Sequence, residues 1–362
     1  MTHPTLFDPV ALGELHLANR VVMAPMTRSR ADEANGDVVT DLHVAYYARR
    51  ATAGLVITEG TQPSITGKGY CRTPGVHTPA QVDAWRKVTD AVHAAGGTIV
   101  VQLMHVGRIA CKENKPEGAD TVAPSAIRGD VSLFTDAVGM AHVVEPRALR
   151  TDEVPLVVEE FRAATACAMA AGFDGVELHA ASGYLPMQFL STGTNRRDDR
   201  YGGSAENRVR FVVECLDAMA AEAGAGRVGV RICPGNTFND LHDDDPERTY
   251  ATLLGAIDHH GLAYLHVIRS PDPAVDAFAI AAAHWNGPTI LNDSFDFASA
   301  TEAVRSGACT AVSFARHYLA NPDLVARFRT GAPLARFDRK TLYTPGPEGY
   351  TDSPALDAPG AN

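Results

Sequence analysis

Short apolar runs alternate along the chain with longer amphipathic stretches. The apolar runs are rich in Val, Ile, Leu and Ala, and turn residues separate each run from the stretch that follows it. Apolar runs of this length, with little alternation, are typical of strands that are buried on both faces of a parallel sheet. Eight such strands are predicted, at residues 20–25, 54–60, 98–104, 175–181, 227–234, 262–268, 289–293 and 309–316.

The stretches between these runs carry the spacing of helices. In the segment 79–97, apolar side chains recur every three or four residues, at Val82, Trp85, Val88, Val92 and Ala95. Pro79 at the start and Gly96 at the end are suitable helix boundaries. A second helix is predicted over 204–224, with Ser204 as its N-cap.

Eight strands that each precede a helix predict an α/β fold, because parallel strands need crossover connections. The spacing favours a single (β/α)8 TIM barrel with an N-terminal hairpin, and a doubly wound open sheet is the alternative. Length alone suggests two domains, but a barrel of this kind commonly fills one, so one domain over 1–362 is predicted. Residues 105–150 form a long excursion after strand three, predicted to shape a pocket, and 332–362 form a C-terminal tail.

Composition narrows the classes of partner. Apolar residues make up 45% of the chain and charged residues 21%, which is ordinary for a globular protein. The net charge of −11 disfavours nucleic acid and anionic membranes as partners. No apolar run is long enough to span a bilayer, and residues 1–17 lack the pattern of a signal peptide. The six scattered cysteines are interpreted as reduced thiols, which predicts a cytoplasmic location.

Two motifs have a structural interpretation. The glycines of 224–229 spell GxGxxG, but they end a predicted helix and precede a strand, the reverse of a dinucleotide fingerprint. The acidic run 242–245 is interpreted as a solvated loop ahead of a helix, and no metal site is predicted.

The polar residues that follow the strands carry the candidate chemistry. In a barrel the carboxyl ends of the strands share one rim, where active sites form. Arg316, after strand eight, suits a phosphate, while Gln102 and Arg231 can hold a heterocycle with mixed donors and acceptors. His179 and Tyr184 can reach one small substrate, as hydrogen-bond donor and proton donor.

At these residues the sequence resembles the Old Yellow Enzyme family of FMN-dependent ene-reductases. The resemblance extends over nearly the whole chain, including VVMAPMTRSRA and GVELHAASGYL, and the long match around YGGSAENR is quite specific. It implies a flavoprotein oxidoreductase in which NADPH or NADH reduces FMN. An α,β-unsaturated carbonyl or nitro compound then takes the hydride, in a ping-pong reaction.

The resemblance also assigns roles by position. It implies that Tyr184 protonates the substrate and that His179 and Ser182 bind its carbonyl. The implied FMN-binding residues are Pro25, Met26, Thr27, Glu59 (through its backbone), Gln102, Arg231, Asp293, Ser294, Ala315 and Arg316. The implied substrate-lining residues are Tyr70, Met104, Asn239 and Tyr343. A small-molecule enone is the expected partner, and the chain is expected to be a monomer or homodimer.

Four positions depart from the family pattern. Ser182 stands where a second His or Asn is usual, Asp293 and Ala315 replace glycines, and Met104 stands where an aromatic is common. These departures keep two alternatives open. One is a redox-neutral isomerase or cyclase with weakened or lost FMN binding, and the other is a non-catalytic binding protein.

Overall fold

A computed structural model describes residues 3–356, in which eight parallel strands close into a barrel. Seven of the strands lie within a predicted run, and the second extends one residue beyond its run, to Thr61. Each strand pairs with its neighbours in chain order, and the last strand pairs with the first. The predicted TIM barrel is therefore confirmed. The strands are β1 (Val21–Met23), β2 (Leu55–Thr61), β3 (Ile99–Leu103), β4 (Gly175–Ala180), β5 (Val228–Ile232), β6 (Tyr264–Ile268), β7 (Thr289–Asn292) and β8 (Ala311–Phe314).

Helices surround the barrel. They are α1 (Asp41–Ala48), α2 (Pro79–Ala94), α3 (Val154–Ala170), α4 (Leu185–Leu190), α5 (Ala205–Arg208), α6 (Arg210–Ala223), α7 (Pro246–Ile257), α8 (Ala277–His284), α9 (Phe297–Arg305), α10 (Arg316–Ala320) and α11 (Leu324–Thr330). The helix predicted over 204–224 is interrupted at Val209, and Ser204 caps its first part by accepting from the Asn207 N–H. No helix among residues 3–356 is long and apolar enough to cross a membrane.

The predicted N-terminal hairpin is present and closes the bottom of the barrel. Its two strands, Val10–Leu12 and Leu15–Leu17, pair antiparallel. Leu12, Leu15 and Leu17 are buried in one apolar cluster with inward-facing strand residues such as Val22 and Val100. The hairpin therefore keeps water out of the end of the barrel opposite the carboxyl ends of the strands.

The barrel interior changes character along its axis. Side chains alternate between inside and outside along each strand, so every second residue points to the axis. The lower inward layer is mostly apolar, as at Ile57, Tyr264 and Ile290. The layer above it is polar on six consecutive strands, from Gln102 on β3 to Ser313 on β8.

The excursion and the described part of the tail, residues 332–356, both fold over the open end, and residues 357–362 of the predicted tail lie outside the described residues. The excursion carries an antiparallel hairpin of Ser132–Thr135 and Gly139–His142, and its Leu133 packs in one cluster with Met104 and Tyr184. The tail is held by the buried guanidinium of Arg28, which donates to backbone carbonyls of the tail. Its Nη2 lies 2.6 Å from the Gly349 oxygen. Both segments therefore form walls of the space above the strands.

Candidate active site

A cavity of about 730 Å³ opens at the carboxyl ends of the strands. Strand ends form its floor, the excursion forms one wall, and the tail forms another. Ten of the predicted site residues line it: Pro25, Thr27, Tyr70, Gln102, Met104, His179, Ser182, Tyr184, Arg231 and Tyr343. Residues that are 150 or more positions apart in sequence therefore share one surface, because all of them follow strands or cover the same rim.

A second cavity of about 350 Å³ adjoins the first. Thr27 and Tyr343 line both cavities. The second cavity is also lined by Met26, Ala315 and Arg316, which are predicted FMN-binding residues. A ligand with a ring and a phosphate arm can therefore extend from one cavity into the other.

Four predicted residues lie beside the cavities and do not line them. The Glu59 carboxylate is fully buried and accepts hydrogen bonds from the Arg28 N–H (3.1 Å) and the Tyr47 hydroxyl (3.3 Å). The neighbouring Gly60 lines the main cavity instead, in keeping with the expected role of the backbone there. The others are Asn239, Asp293 and Ser294.

The turn after β4 brings Tyr184 back towards His179. Ser182 (φ +57°) and Gly183 (φ +76°) both adopt left-handed backbone conformations, which reverse the chain before α4 begins. A side chain at Gly183 would lie 2.8 Å from the Phe238 carbonyl oxygen, so only glycine fits. The Asn239 amide donates to the Ser182 carbonyl at 2.8 Å and so holds this turn in place.

Tyr184 and His179 form a compact pair at the cavity floor. Their ring centroids are 4.9 Å apart, with the planes at 71°. The Tyr184 hydroxyl is 3.0 Å from the Tyr70 hydroxyl. Burial, together with Tyr70, raises the pKa of Tyr184 well above its usual value, so this phenol keeps its proton at neutral pH. It is therefore available as a proton donor.

His179 is neutral in this environment. Burial and the nearby Arg231 guanidinium hold the pKa of His179 well below its usual value. A neutral imidazole still has one N–H to donate, and it does so without adding a second positive charge beside Arg231. It is therefore suited to bind a carbonyl oxygen.

Two buried polar atoms at this floor support the fit of FMN. The Nε of Arg231 and the Nδ1 of His179 are buried, and neither has a hydrogen-bond partner among residues 3–356. Leaving such a group unpaired costs about 1–3 kcal/mol, which a polar ligand recovers. The Arg231 and Gln102 side chains offer donors and an acceptor to the pyrimidine ring of a flavin. The residues present therefore fit the ring of FMN.

The residues predicted to bind the phosphate of FMN lie at the surface, and one of them carries a negative charge. The Arg316 side chain is 71% exposed, and its guanidinium lies 3.8 Å from the Asp293 carboxylate. Asp293 has φ +78° and Ser294 has φ +62°, so the turn after β7 takes the left-handed conformation that the family's glycine permits. Arg316 can hold a phosphate, and the Asp293 carboxylate competes with that phosphate for the positive charge of Arg316.

Sequence reasoning missed three buried residues beneath the cavity, namely Glu177, His266 and Ser313. The Glu177 carboxylate accepts from Gln102 at 2.8 Å and hydrogen-bonds to His266 at 2.8 Å. Each of the three points inward along its strand, and Glu177 lies two residues before His179. A search for polar residues at a period of two within the apolar runs would have found them.

Comparisons with known proteins agree on one family. Residues 5–335 match the NADH:flavin oxidoreductase / NADH oxidase family. The chain is 42% identical to a probable flavin mononucleotide-dependent alkene reductase of Leishmania infantum, covering 97% of both proteins. Among solved structures, morphinone reductase matches with a TM-score of 0.94 and 44% identity, over 98% of this chain and 97% of that one. The Old Yellow Enzyme homologue of Zymomonas mobilis matches with a TM-score of 0.93 and 37% identity, over 98% of this chain and all of that one.

These relatives give the redox-neutral alternative no support. Each of these relatives matches nearly the whole of this chain, so the similarity includes the barrel and both of the segments that cover it. The chain belongs to the NADH:flavin oxidoreductase / NADH oxidase family, the Old Yellow Enzymes, and is an FMN-dependent ene-reductase that uses a nicotinamide as reductant.

Proposed function

We propose that the cavity binds an α,β-unsaturated carbonyl compound, with His179 holding its carbonyl oxygen and Tyr184 protonating its α-carbon. The observation that carries this assignment is the packing of a neutral imidazole against a protonated phenol on the floor of one cavity. A hydrogen bond to the carbonyl oxygen draws electron density from the alkene, so the β-carbon becomes electrophilic.

Bound FMN supplies the hydride, and the residues of the chain orient and protonate the substrate. Arg231 and Gln102 bind the flavin's pyrimidine ring, and Arg231 stabilises negative charge there. Thr27 offers a hydroxyl to the same ring, and Arg316 binds the phosphate. Tyr70 donates to or accepts from Tyr184 at 3.0 Å, which orients the phenolic proton. Ser182 faces the same cavity and provides a hydroxyl near the carbonyl.

The mouth of the cavity indicates an apolar substrate. Four large apolar side chains line it and remain substantially exposed: Phe134 (52%), Met140 (65%), Phe238 (60%) and Tyr343 (58%). Exposed apolar groups gathered at one opening are typical of a surface that a ligand covers. We therefore expect enones with an alicyclic or other apolar body to bind better than small polar ones.

Replacing Tyr184 tests the assignment, because the two half-reactions can be measured separately. In Tyr184→Phe, anaerobic reduction of the bound flavin by NADPH is expected to keep its wild-type rate, since no proton is delivered to an alkene in that step. Reoxidation by 2-cyclohexenone is expected to fall by about 10²–10⁴-fold, the usual contribution of a general acid.

Tyr70→Phe is the matched control, since it removes a hydroxyl 3.0 Å away but keeps the Tyr184 proton. Its reoxidation rate is expected to fall by about tenfold or less, the value of one hydrogen bond. Stopped-flow absorbance of the flavin follows both steps. A Tyr184→Phe variant that is reoxidised at the wild-type rate would contradict the role of Tyr184.

A further inference from the structure

A continuous layer of polar side chains crosses the barrel directly beneath the cavity. Six consecutive strands, β3 to β8, each contribute one inward-facing side chain to it. All six are at least nine-tenths buried, and only two of them line the cavity above. The six are Gln102 (2% exposed), Glu177 (0%), Arg231 (7%), His266 (0%), Asn292 (5%) and Ser313 (2%).

One end of the layer converges on Glu177. Its carboxylate oxygens lie 2.8 Å from the Gln102 Nε2 and 2.8 Å from the His266 Nδ1. A carboxylate can only accept hydrogen bonds, so the amide nitrogen of Gln102 and a protonated Nδ1 must face it. The carbonyl oxygen of Gln102 is thereby left for the cavity that this side chain lines.

The other end begins at Arg231. Its Nη2 donates to the Asn292 Oδ1 at 2.7 Å, and a guanidinium can only donate. The amide nitrogen of Asn292 therefore faces the Ser313 hydroxyl, 2.8 Å away. The Ser313 hydroxyl donates to the His266 Nε2 at 2.8 Å, because the proton of this neutral imidazole is on Nδ1. Because Glu177 at one end can only accept and Arg231 at the other can only donate, the direction of every hydrogen bond between them is determined.

The layer is also balanced in charge. Burial tends to raise the pKa of Glu177, but the hydrogen bond from His266, the charge of Arg231 and the hydrogen bond from Gln102 outweigh burial, and the pKa is lowered. Burial lowers the pKa of His266 by more than Glu177 raises it. At neutral pH a carboxylate, a neutral imidazole and a guanidinium therefore lie together, and the positive charge of Arg231 is balanced by the negative charge of Glu177.

We propose that Glu177 is a positioning residue for the flavin. It turns the Gln102 carbonyl towards the cavity and, through His266, Ser313 and Asn292, fixes the side chain of Arg231. Glu177 thereby sets the pattern of donors and acceptors that the pyrimidine ring meets, without touching that ring itself. This inference rests on the roles proposed above for Gln102 and Arg231.

Glu177→Gln tests the proposal with almost no change of volume. The introduced amide can donate as well as accept, so the Gln102 amide is free to turn over and Arg231 loses its counter-charge. We expect the dissociation constant of FMN for the apoprotein to rise by about tenfold or more. We also expect the midpoint potential of the bound flavin to become less negative, because a carboxylate near the reduced ring is lost. Fluorescence titration and a reducing-dye equilibration measure these two quantities.

Two further variants sharpen the result. Glu160→Gln is the control, since that carboxylate on α3 binds Ser64 and Thr66 outside the cavities, and it should shift neither quantity. Ser313→Ala cuts the link between His266 and Asn292 but keeps the Glu177 carboxylate, so the dissociation constant of FMN should rise by less than in Glu177→Gln while the midpoint potential changes little. Ser313→Ala also provides the test if Glu177→Gln does not fold.

The outcomes separate the two proposals. A wild-type protein that takes up FMN, with Glu177→Gln unchanged in affinity and potential, would overturn the role of Glu177 alone. If Glu177→Gln does not fold, an unchanged FMN affinity of Ser313→Ala would overturn it. A wild-type apoprotein that takes up no FMN would overturn the proposed roles of Gln102 and Arg231 and this inference with them. A shift in Glu160→Gln as large as that in Glu177→Gln would also overturn it, because a carboxylate outside the layer would then have the same effect.

Discussion

The turn after β7 allows a prediction of how Asp293 affects the affinity of the protein for FMN. Asp293 occupies a left-handed conformation at φ +78° and places a carboxylate 3.8 Å from the Arg316 guanidinium. If Arg316 binds the FMN phosphate, Asp293 both neutralises that cation and repels the phosphate. We therefore expect Asp293→Gly to bind FMN more tightly than the wild-type protein.

The size of the expected gain in FMN affinity follows from the solvent exposure of Asp293 and Arg316. The two side chains are 40% and 71% exposed, so solvent screens the interaction and it is worth about 1 kcal/mol at most. A gain of about 1 kcal/mol corresponds to roughly a fivefold lower dissociation constant for FMN. The left-handed backbone costs a non-glycine residue about 1 kcal/mol. The extra freedom of glycine in the unfolded chain offsets most of that, so the melting temperature of the apoprotein should change little.

The assay is a titration of the apoproteins with FMN at two salt concentrations. Between about 0.01 M and 1 M salt, the screening length falls from about 30 Å to 3 Å, so the advantage of Asp293→Gly should shrink at high salt. Asp293→Asn separates the two causes, because it removes the charge but keeps a side chain in the left-handed region. Equal affinities of Asp293→Asn and wild type would refute the electrostatic reasoning, and a gain confined to Asp293→Gly would assign the effect to the backbone.

Two other predictions concern the substrate site and the pH dependence of stability. Ser182→Asn should raise kcat/KM for 2-cyclohexenone by about three- to tenfold, because asparagine tolerates φ +57° and its amide adds a donor towards the carbonyl. An unchanged or lower kcat/KM, with Ser182→Ala as control, would contradict this. Burial and Lys115 lower the pKa of His105 to about 3. Its folded-state pKa therefore lies below its unfolded value of about 6.5, and stability is lost as pH falls from 6.5 towards 3. In urea titrations over that range, His105→Gln should lose stability less steeply than wild type, by up to about 1.4 kcal/mol per pH unit, and equal slopes would count against a buried neutral His105.

The sequence by itself determined the barrel and most of the rim. Strand and helix periods are local properties, so eight apolar runs separated by amphipathic stretches could be recognised without knowing their neighbours. Parallel pairing and crossover helices then placed every strand end on one side. Residues such as Gln102, His179 and Arg231 could be predicted as site residues for that reason, and they line the main cavity.

Only the tertiary structure decided how those residues are connected. The hydrogen bonds of Glu177 to Gln102 and His266 join three separate strands, and their partners depend on the register and closure of the barrel. The same holds for the opening of the cavity, where Phe134 and Tyr343 come together from the excursion and the tail. The position of a residue within the alternating pattern of its strand indicates which face of the strand it occupies. Which side chain lies opposite it across the axis is fixed by packing among distant segments, and that information is absent from any local pattern.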